Sequence, residues 1–520
     1  MEDSTFMIKY QSRKIKNLIG TRYLPIFIFL IGFFVAVVSS SLVVTEYTDS
    51  YSYLSLAQHI KEEGKYYIEI EEGLFHTYYL PAYPMLIAAL SVFTGNYMVA
   101  ARLISWLSSS FLLVFVYLIV EKSYQHKSAA ILSTILIVLN PLYILISGRI
   151  MSESLFIAVF ALSFYYSLQS DNFKNIMIMF LLVGIASLIR YDFLLLFIYA
   201  TLISIYKRSR VKYILYGLIS SILMLLSWQI VILYNVRAKF PILKRIIEIV
   251  LAPPSHAQRS GILNTEIILD GVYITGNAFL SYIGISLIIF MGIGFFYLLK
   301  KRSQAGISLI FWIVLVSAFY IVWPFKDIRH IYFAFPPCLI FASIGIHKIF
   351  DIIRSTHFKK LSPSLVYSNG NTYSYISRIL VILFIVLILI FSTLNMVNKG
   401  IDLGRTTAIE NNLFRLAGEW VYSRDSSATV AVTQKALIKT YFPSLKVYDI
   451  ERAPRKESFE NFLVDNNIKY LIIEDINPFL PSILPDDFTN NPKFLKDWAF
   501  TQGSHTVWIY TFDPNRTEIN

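Results

Sequence analysis

Long apolar runs dominate this sequence, separated by short polar loops. Many approach the roughly 20 residues needed to cross about 30 Å of hydrocarbon. The first is Leu24–Val44. It is longer than a signal-peptide core and no small-residue cleavage site follows, so it reads as a retained span. A polar loop, 45–80, comes next. Pro81–Phe93 is apolar but short, with Pro81 and Pro84 at its start. The later runs are Tyr97–Val120, Ala129–Ser147, Leu155–Leu168, the short pair Ile176–Ile189 and Phe193–Ile205, then Tyr213–Tyr234, Phe279–Leu299, Ile307–Trp323, Tyr332–Phe350 and Ile379–Met396. From Ile401 the pattern changes. Leu413–Tyr422 has helical apolar spacing. Thr429–Val432, Val447–Ile450, Tyr470–Ile473 and Thr506–Tyr510 read as short strands, with helical stretches at Lys435–Tyr441 and Ser458–Asn466. That alternation predicts a small α/β domain. The chain therefore divides into a helical membrane domain, 1–400, and a C-terminal α/β domain, 401–520. No glycine-rich loop follows the first strand, so no nucleotide site is expected.

The positive-inside rule orients the runs. The leader carries Lys9, Arg13, Lys14 and Lys16. If Pro81–Phe93 lies on the surface, the loops Glu121–Lys127, Lys207–Lys212 and Lys300–Arg302 fall on the leader's side, as do Lys348, Arg354, Lys359 and Lys360. If it crosses, they move to the opposite side and contradict the leader. The reading is thus about eleven spans with one surface helix. The N-terminus is cytoplasmic, the C-terminal domain is extracytoplasmic and the protein resides in the cell membrane. The net charge of +12 then sets topology and does not point to nucleic acid. The single cysteine, Cys338, excludes an internal disulfide or a thiolate metal cluster.

Polar groups gather at the presumed outer face, where carboxylates near hydrocarbon are costly. Asp49 follows the first span. Glu153 precedes another, with Arg149 one turn earlier. Arg190 and Asp192 tip the short pair, and Lys326, Arg329 and His330 precede Tyr332–Phe350. A carboxylate that takes a proton, facing cations that hold a phosphate, is equipment for group transfer from a lipid phosphate. Each group also has an ordinary reading. Charges at span ends anchor the interface, Glu153 suits a helix N-terminus, and Tyr51 and Tyr53 fit an aromatic belt. His76 and His256 leave a divalent metal open, although isolated histidines without ligand spacing carry little weight.

The order of motifs adds to this. Thr48-Asp49 with Tyr53 and Ala57 is followed by Leu80-Pro81-Ala82-Tyr83-Pro84, Gly95 and Ala101-Arg102-Leu103. Asn140-Pro141, Ser152-Glu153-Ser154-Leu155-Phe156, Gly184 to Arg190, and Arg329-His330-Ile331-Tyr332 before Pro336-Pro337 come after. Over Leu24 to Phe350 this series resembles the GT-C membrane glycosyltransferases, in the branch of the protein mannosyltransferases and lipid A aminoarabinose transferases. The resemblance implies a polyprenyl-phosphate sugar donor, a glycan, lipid or protein acceptor, and inversion at the anomeric carbon. It implies Asp49 as general base and Glu153 as a second acidic residue. Arg329, then Arg190 and Lys326, are expected at the donor phosphate. Tyr53, His76, Tyr83, Arg149 and His330 are expected to line the pocket. No cofactor is certain, and a divalent metal stays possible. Two departures matter. Ser50 follows Asp49 where protein mannosyltransferases carry Asp-Glu, and the Trp-Trp-Asp motif of oligosaccharyltransferases is absent. A transporter or flippase is the alternative, but transporters place ionisable groups near the bilayer midplane. A non-catalytic assembly subunit is a third reading.

Overall fold

In a computed structural model the described residues are 23–42, 48–66, 68–71, 74–76, 79–236, 265–322, 328–358, 398, 412–433, 437–438, 441–442, 444–450, 459–474, 491–502 and 505–516. The basic leader, Ile379–Met396, His256, Lys326, the boundary near Ile401 and most of Lys435–Tyr441 lie outside them. The protein is a polytopic helical membrane protein with a small C-terminal sheet domain.

Helix α1 (Leu24–Leu42) leads into the polar α2 (Thr48–Glu63). A hairpin of β1 (Ile68–Glu71) and β2 (Leu74–His76) follows; the sequence pattern did not announce it. Then come α3 (Ala82–Thr94), α4 (Tyr97–Tyr124), α5 (Lys127–Val138), α6 (Pro141–Gly148), α7 (Ser152–Ser167), α8 (Phe173–Ser187), α9 (Phe193–Tyr206) and α10 (Val211–Val236). The bundle continues with α11 (Thr265–Tyr282), α12 (Ile285–Lys300), α13 (Gln304–Val322), the single turn α14 (Ile328–Ile331) and α15 (Phe335–Phe358).

Among the described residues five helices are long and apolar enough to cross a membrane, or up to seven if each of two bent pairs counts as one span. The expectation of about eleven spans covers the whole chain, and one of them, Ile379–Met396, lies outside the described residues. Helices α8 and α9 have 15 and 14 residues, and at 1.5 Å per residue each rises only about 22 Å. The 13 residues of α3 rise about 20 Å, again short of the hydrocarbon thickness. The expected continuous span Phe279–Leu299 is corrected: it breaks at Ile283-Gly284, where α11 and α12 meet at 101°. Gly284 has φ 82°, a conformation that favours glycine. Helices α5 and α6 bend by 66° at Asn140-Pro141, since proline cannot continue the backbone ladder. Asn140 caps α6 by accepting from Leu142 N at 3.0 Å, and its Nδ2 donates to Tyr282 O at 2.8 Å. The two breaks thereby brace one another.

The core between them is aromatic. Trp312 stacks on Phe160 at 4.5 Å and donates its indole N–H to Phe333 O at 2.8 Å. Helices α12 and α15 cross with backbones in contact. A Cβ on Gly294 would strike the carbonyl oxygen of Phe341, and one on Gly345 that of Phe290.

The C-terminal domain holds a helix at 412–424, here α16, then β3 (Thr429–Val432), β4 (Lys446–Asp449), α17 (Phe459–Asp465), β5 (Tyr470–Glu474), β6 (Phe494–Gln502) and β7 (His505–Phe512). The sheet order is β4-β3-β5-β7-β6. Strand β3 is parallel to β4 and β5, while β7 is antiparallel to β5 and β6. One sheet face packs Val430, Val432, Ile472 and Ile509 under α16. Tyr51 of α2 joins that same cluster, and its ring lies 6.3 Å from that of Tyr441. The helix that begins at Thr48 therefore bears both Asp49 and a seat for the C-terminal domain.

Candidate active site

Asp49 and Glu153 occupy the first turns of α2 and α7, where the helix dipole favours negative charge. Arg190 lies just past the end of α8, where the dipole favours a cation. Arg329 and His330 fall in the short turn α14 before α15. Four segments far apart in sequence thus converge at one end of the bundle.

Arg329 Nη1 donates to Asp49 Oδ2 at 2.7 Å, across 280 positions of sequence. Tyr79 Oη donates to the other oxygen, Asp49 Oδ1, at 2.8 Å. Glu153 is fully buried and pairs with Arg190 Nη1 at 2.8 Å, with Arg329 Nε at 3.8 Å. Arg190 Nε donates to Asp192 Oδ2 at 2.6 Å, and Arg190 Nη1 donates to Ser152 Oγ at 3.2 Å. His330 Nδ1 stands 3.3 Å from Arg190 Nη2 and 3.9 Å from Asp192 Oδ1. Phe333 lies under the Arg190 guanidinium at 5.7 Å. Asp49 and Arg329 keep 29% and 19% of their side-chain surface open, so the pair is reachable while Glu153 is sealed beneath it.

Burial works against the charge on Asp49, but Arg329, the Tyr79 and Arg329 hydrogen bonds and the field of Arg190 outweigh it. Its carboxyl stays below the usual range. Asp192 behaves alike: burial opposes its charge, while Arg190 and His330 hold its carboxyl low. Burial opposes the Arg190 charge too, yet Glu153 and Asp192 push its pKa up. Burial raises the phenols of Tyr53 and Tyr79 and keeps them neutral.

Tyr53 is within 2.9 Å of Ser152 Oγ, and its ring meets those of Tyr79 and Tyr83 edge-on at 4.9 Å each. Tyr83 is fully buried below, within 3.3 Å of Ser105 Oγ. Arg149 is fully buried in the turn between α6 and α7. His76 lies in β2, and the structure describes only its backbone.

No protein-family model and no curated protein matches the chain by sequence. Solved structures match by shape. ArnT from Cupriavidus metallidurans, bound to undecaprenyl phosphate, superposes with TM-score 0.55 at 12% identity, covering 95% of this chain and 99% of that one. The apo oligosaccharyltransferase of Archaeoglobus fulgidus gives TM-score 0.55 at 13% identity, over 95% of this chain and 75% of that one. Archaeal oligosaccharyltransferase AglB from Archaeoglobus fulgidus, in complex with an inhibitory peptide and a dolichol-phosphate, gives 0.53 at 14%, over 87% and 69%. This chain has the GT-C fold.

Nothing along the chain points to Tyr79 or to the bridging role of Ser152. Tyr79 sits two residues before Pro81, and Tyr66 Oη holds its carbonyl at 2.6 Å. Only the fold distinguishes it from its neighbours in a tyrosine-rich loop. For a metal, the described residues contain no group of three or more His, Cys, Asp or Glu side chains able to hold an ion. Asp49 and Glu153 also suit a cation poorly. Asp49 and Glu153 already face Arg329 and Arg190, and a divalent ion there would meet two guanidinium groups.

Proposed function

We propose that this protein is an inverting glycosyltransferase that moves a sugar from a polyprenyl phosphate to an acceptor hydroxyl. Asp49 is its general base, and Arg329 holds the donor phosphate. The supporting observation is the Asp49–Arg329 contact, a reachable carboxylate and guanidinium joined at 2.7 Å within a GT-C fold. Neighbours of that fold bind undecaprenyl phosphate and dolichol-phosphate.

In the reaction the acceptor O–H bond breaks and its proton passes to Asp49. The acceptor oxygen bonds to the anomeric carbon from the face opposite the phosphate. The bond from that carbon to the phosphate oxygen breaks, and its electron pair leaves with the polyprenyl phosphate. A singly charged phosphodiester thereby becomes a monoester with a second negative charge. A fixed guanidinium stabilises charge that develops in this way. Arg190 has a different part. Committed to Glu153 and Asp192, it keeps Ser152 and Tyr53 in place under the pocket. Lys326 is a further candidate phosphate ligand.

The charge pattern of the loops supports a cell-membrane protein with a cytoplasmic N-terminus and an extracytoplasmic site. The α/β domain, docked on α2, then overlooks the pocket where a glycan, lipid or protein acceptor enters. The test is transfer by purified protein from a panel of polyprenyl-phosphate sugars, with a membrane lipid extract as acceptor source. Turnover with any donor supports the reading. Transport of a lipid-linked substrate across vesicles without transfer overturns it.

A further inference from the structure

Resting on the glycosyltransferase reading, we infer that Arg329 is a latch on the base. Before the donor arrives its guanidinium holds Asp49 Oδ2, and the donor phosphate draws it away, so Asp49 becomes a competent base only in the donor-loaded enzyme. Asp49 is held at both oxygens, by Tyr79 on Oδ1 and by Arg329 on Oδ2. A carboxylate in that state is a poor proton acceptor, because two donors already stabilise its charge. Arg190 is not free to take the latch's place. It is engaged by Glu153 at 2.8 Å and by Asp192 at 2.6 Å. Arg329 reaches Asp49 at 2.7 Å and Glu153 at 3.8 Å, and it is the more exposed of the two arginine side chains. A phosphate competes with Asp49 for this fork in the bidentate geometry that arginine suits.

The arrangement gives one cation two duties in sequence. It masks the base in the empty site, then faces the leaving phosphate while Asp49 takes the acceptor proton and loses its charge. The donor lipid must therefore arrive before the acceptor can be deprotonated. Free sites stay inert toward acceptor hydroxyls.

The latch makes a prediction that a simple base does not. Phosphate must compete with Asp49 for Arg329, so apparent affinity is reduced by the fraction of sites that are latched. The experiment is equilibrium binding of undecaprenyl phosphate to the full-length purified protein, in wild type, Asp49→Asn, Arg329→Gln and the double variant. Thermal unfolding checks each fold, and Arg329→Met replaces Arg329→Gln if the latter does not fold. Asp49→Asn should tighten binding by about tenfold. Arg329→Gln should weaken it, and the gain from Asp49→Asn should vanish in the Arg329→Gln background. Unchanged affinity in Asp49→Asn overturns the latch and leaves the enzyme reading standing. So does a gain that persists without Arg329, because that is plain charge repulsion between carboxylate and phosphate. No binding by either wild type or Asp49→Asn overturns the latch together with the reading it rests on.

Discussion

The two ends of the helix bundle solve the same problem in different ways. At the end opposite the site the ion pairs are local. His347 and Lys348 reach Asp351 at 3.3 and 3.2 Å, four and three residues along one helix. Lys207 donates to the carbonyls of Ser167 and Gln169 at the end of α7, where a cation suits the dipole. Asp351 stays 42% exposed. Such pairs cost little to form and little to lose. At the site end, Asp49, Glu153, the Arg190–Asp192 turn and Arg329 come from four separated segments, and Glu153 is wholly buried. Buried ion pairs seldom increase stability relative to apolar packing. Their gathering at one end of the bundle is what the proposed function accounts for. Local charge pairs follow the helix, whereas the long-range buried ones gather where the proposed chemistry sits.

This contrast can be broken by mutation. Glu153→Gln leaves Arg190 and Arg329 short of a buried counter-charge and should lower stability by about 3–5 kcal/mol, read as a large drop in thermal midpoint in detergent. Between the two ends, Gly345→Ala drives a Cβ into the carbonyl oxygen of Phe290. It should cost about 1–3 kcal/mol and separate α12 from α15. Lys348→Met at the far end should shift stability by less than about 1 kcal/mol and leave sugar transfer unchanged. A loss there comparable to that of Glu153→Gln would erase the distinction between the ends.

Acidity gives a finer probe. The folded-state pKa of Asp49 lies below its unfolded value. Its stabilising contribution is therefore complete above the usual aspartate pKa of about 3.9 and is lost as pH falls through the lower folded value. The stability difference between wild type and Asp49→Asn should be flat at neutral pH and shrink only below about pH 4. A change between pH 5 and 8 would mean that Arg329 does not hold the carboxylate.

Much of the candidate site is legible along the chain. Asp49, Glu153, Arg190 and Arg329 each stand at the end of an apolar run, and sidedness puts span ends at one depth. What sidedness does not give is the direction of a side chain. Tyr79 is one of several tyrosines in its loop, and nothing local shows which reaches Asp49. The commitment of Arg190 to two carboxylates is equally invisible along the chain. The bend at Ile283-Gly284 is hidden because apolar composition runs unbroken through it, whereas Pro141 marks the other. Strand β6 escaped notice because its alternation is interrupted by a bulge between Lys496 and Trp498. The other four strands of that sheet, with Val430, Val447, Leu471 and Ile509 buried, kept a readable pattern.

The central claim is that Asp49 takes the acceptor proton. The most direct measurement is the rate of sugar transfer by purified wild type and Asp49→Asn with one productive polyprenyl-phosphate donor, both proteins shown to unfold at similar temperatures. The account predicts a fall in turnover of about 10²–10⁴-fold with donor binding retained. Turnover within a few-fold of wild type would contradict it and move the search for the base to another carboxylate of the site, beginning with Glu153.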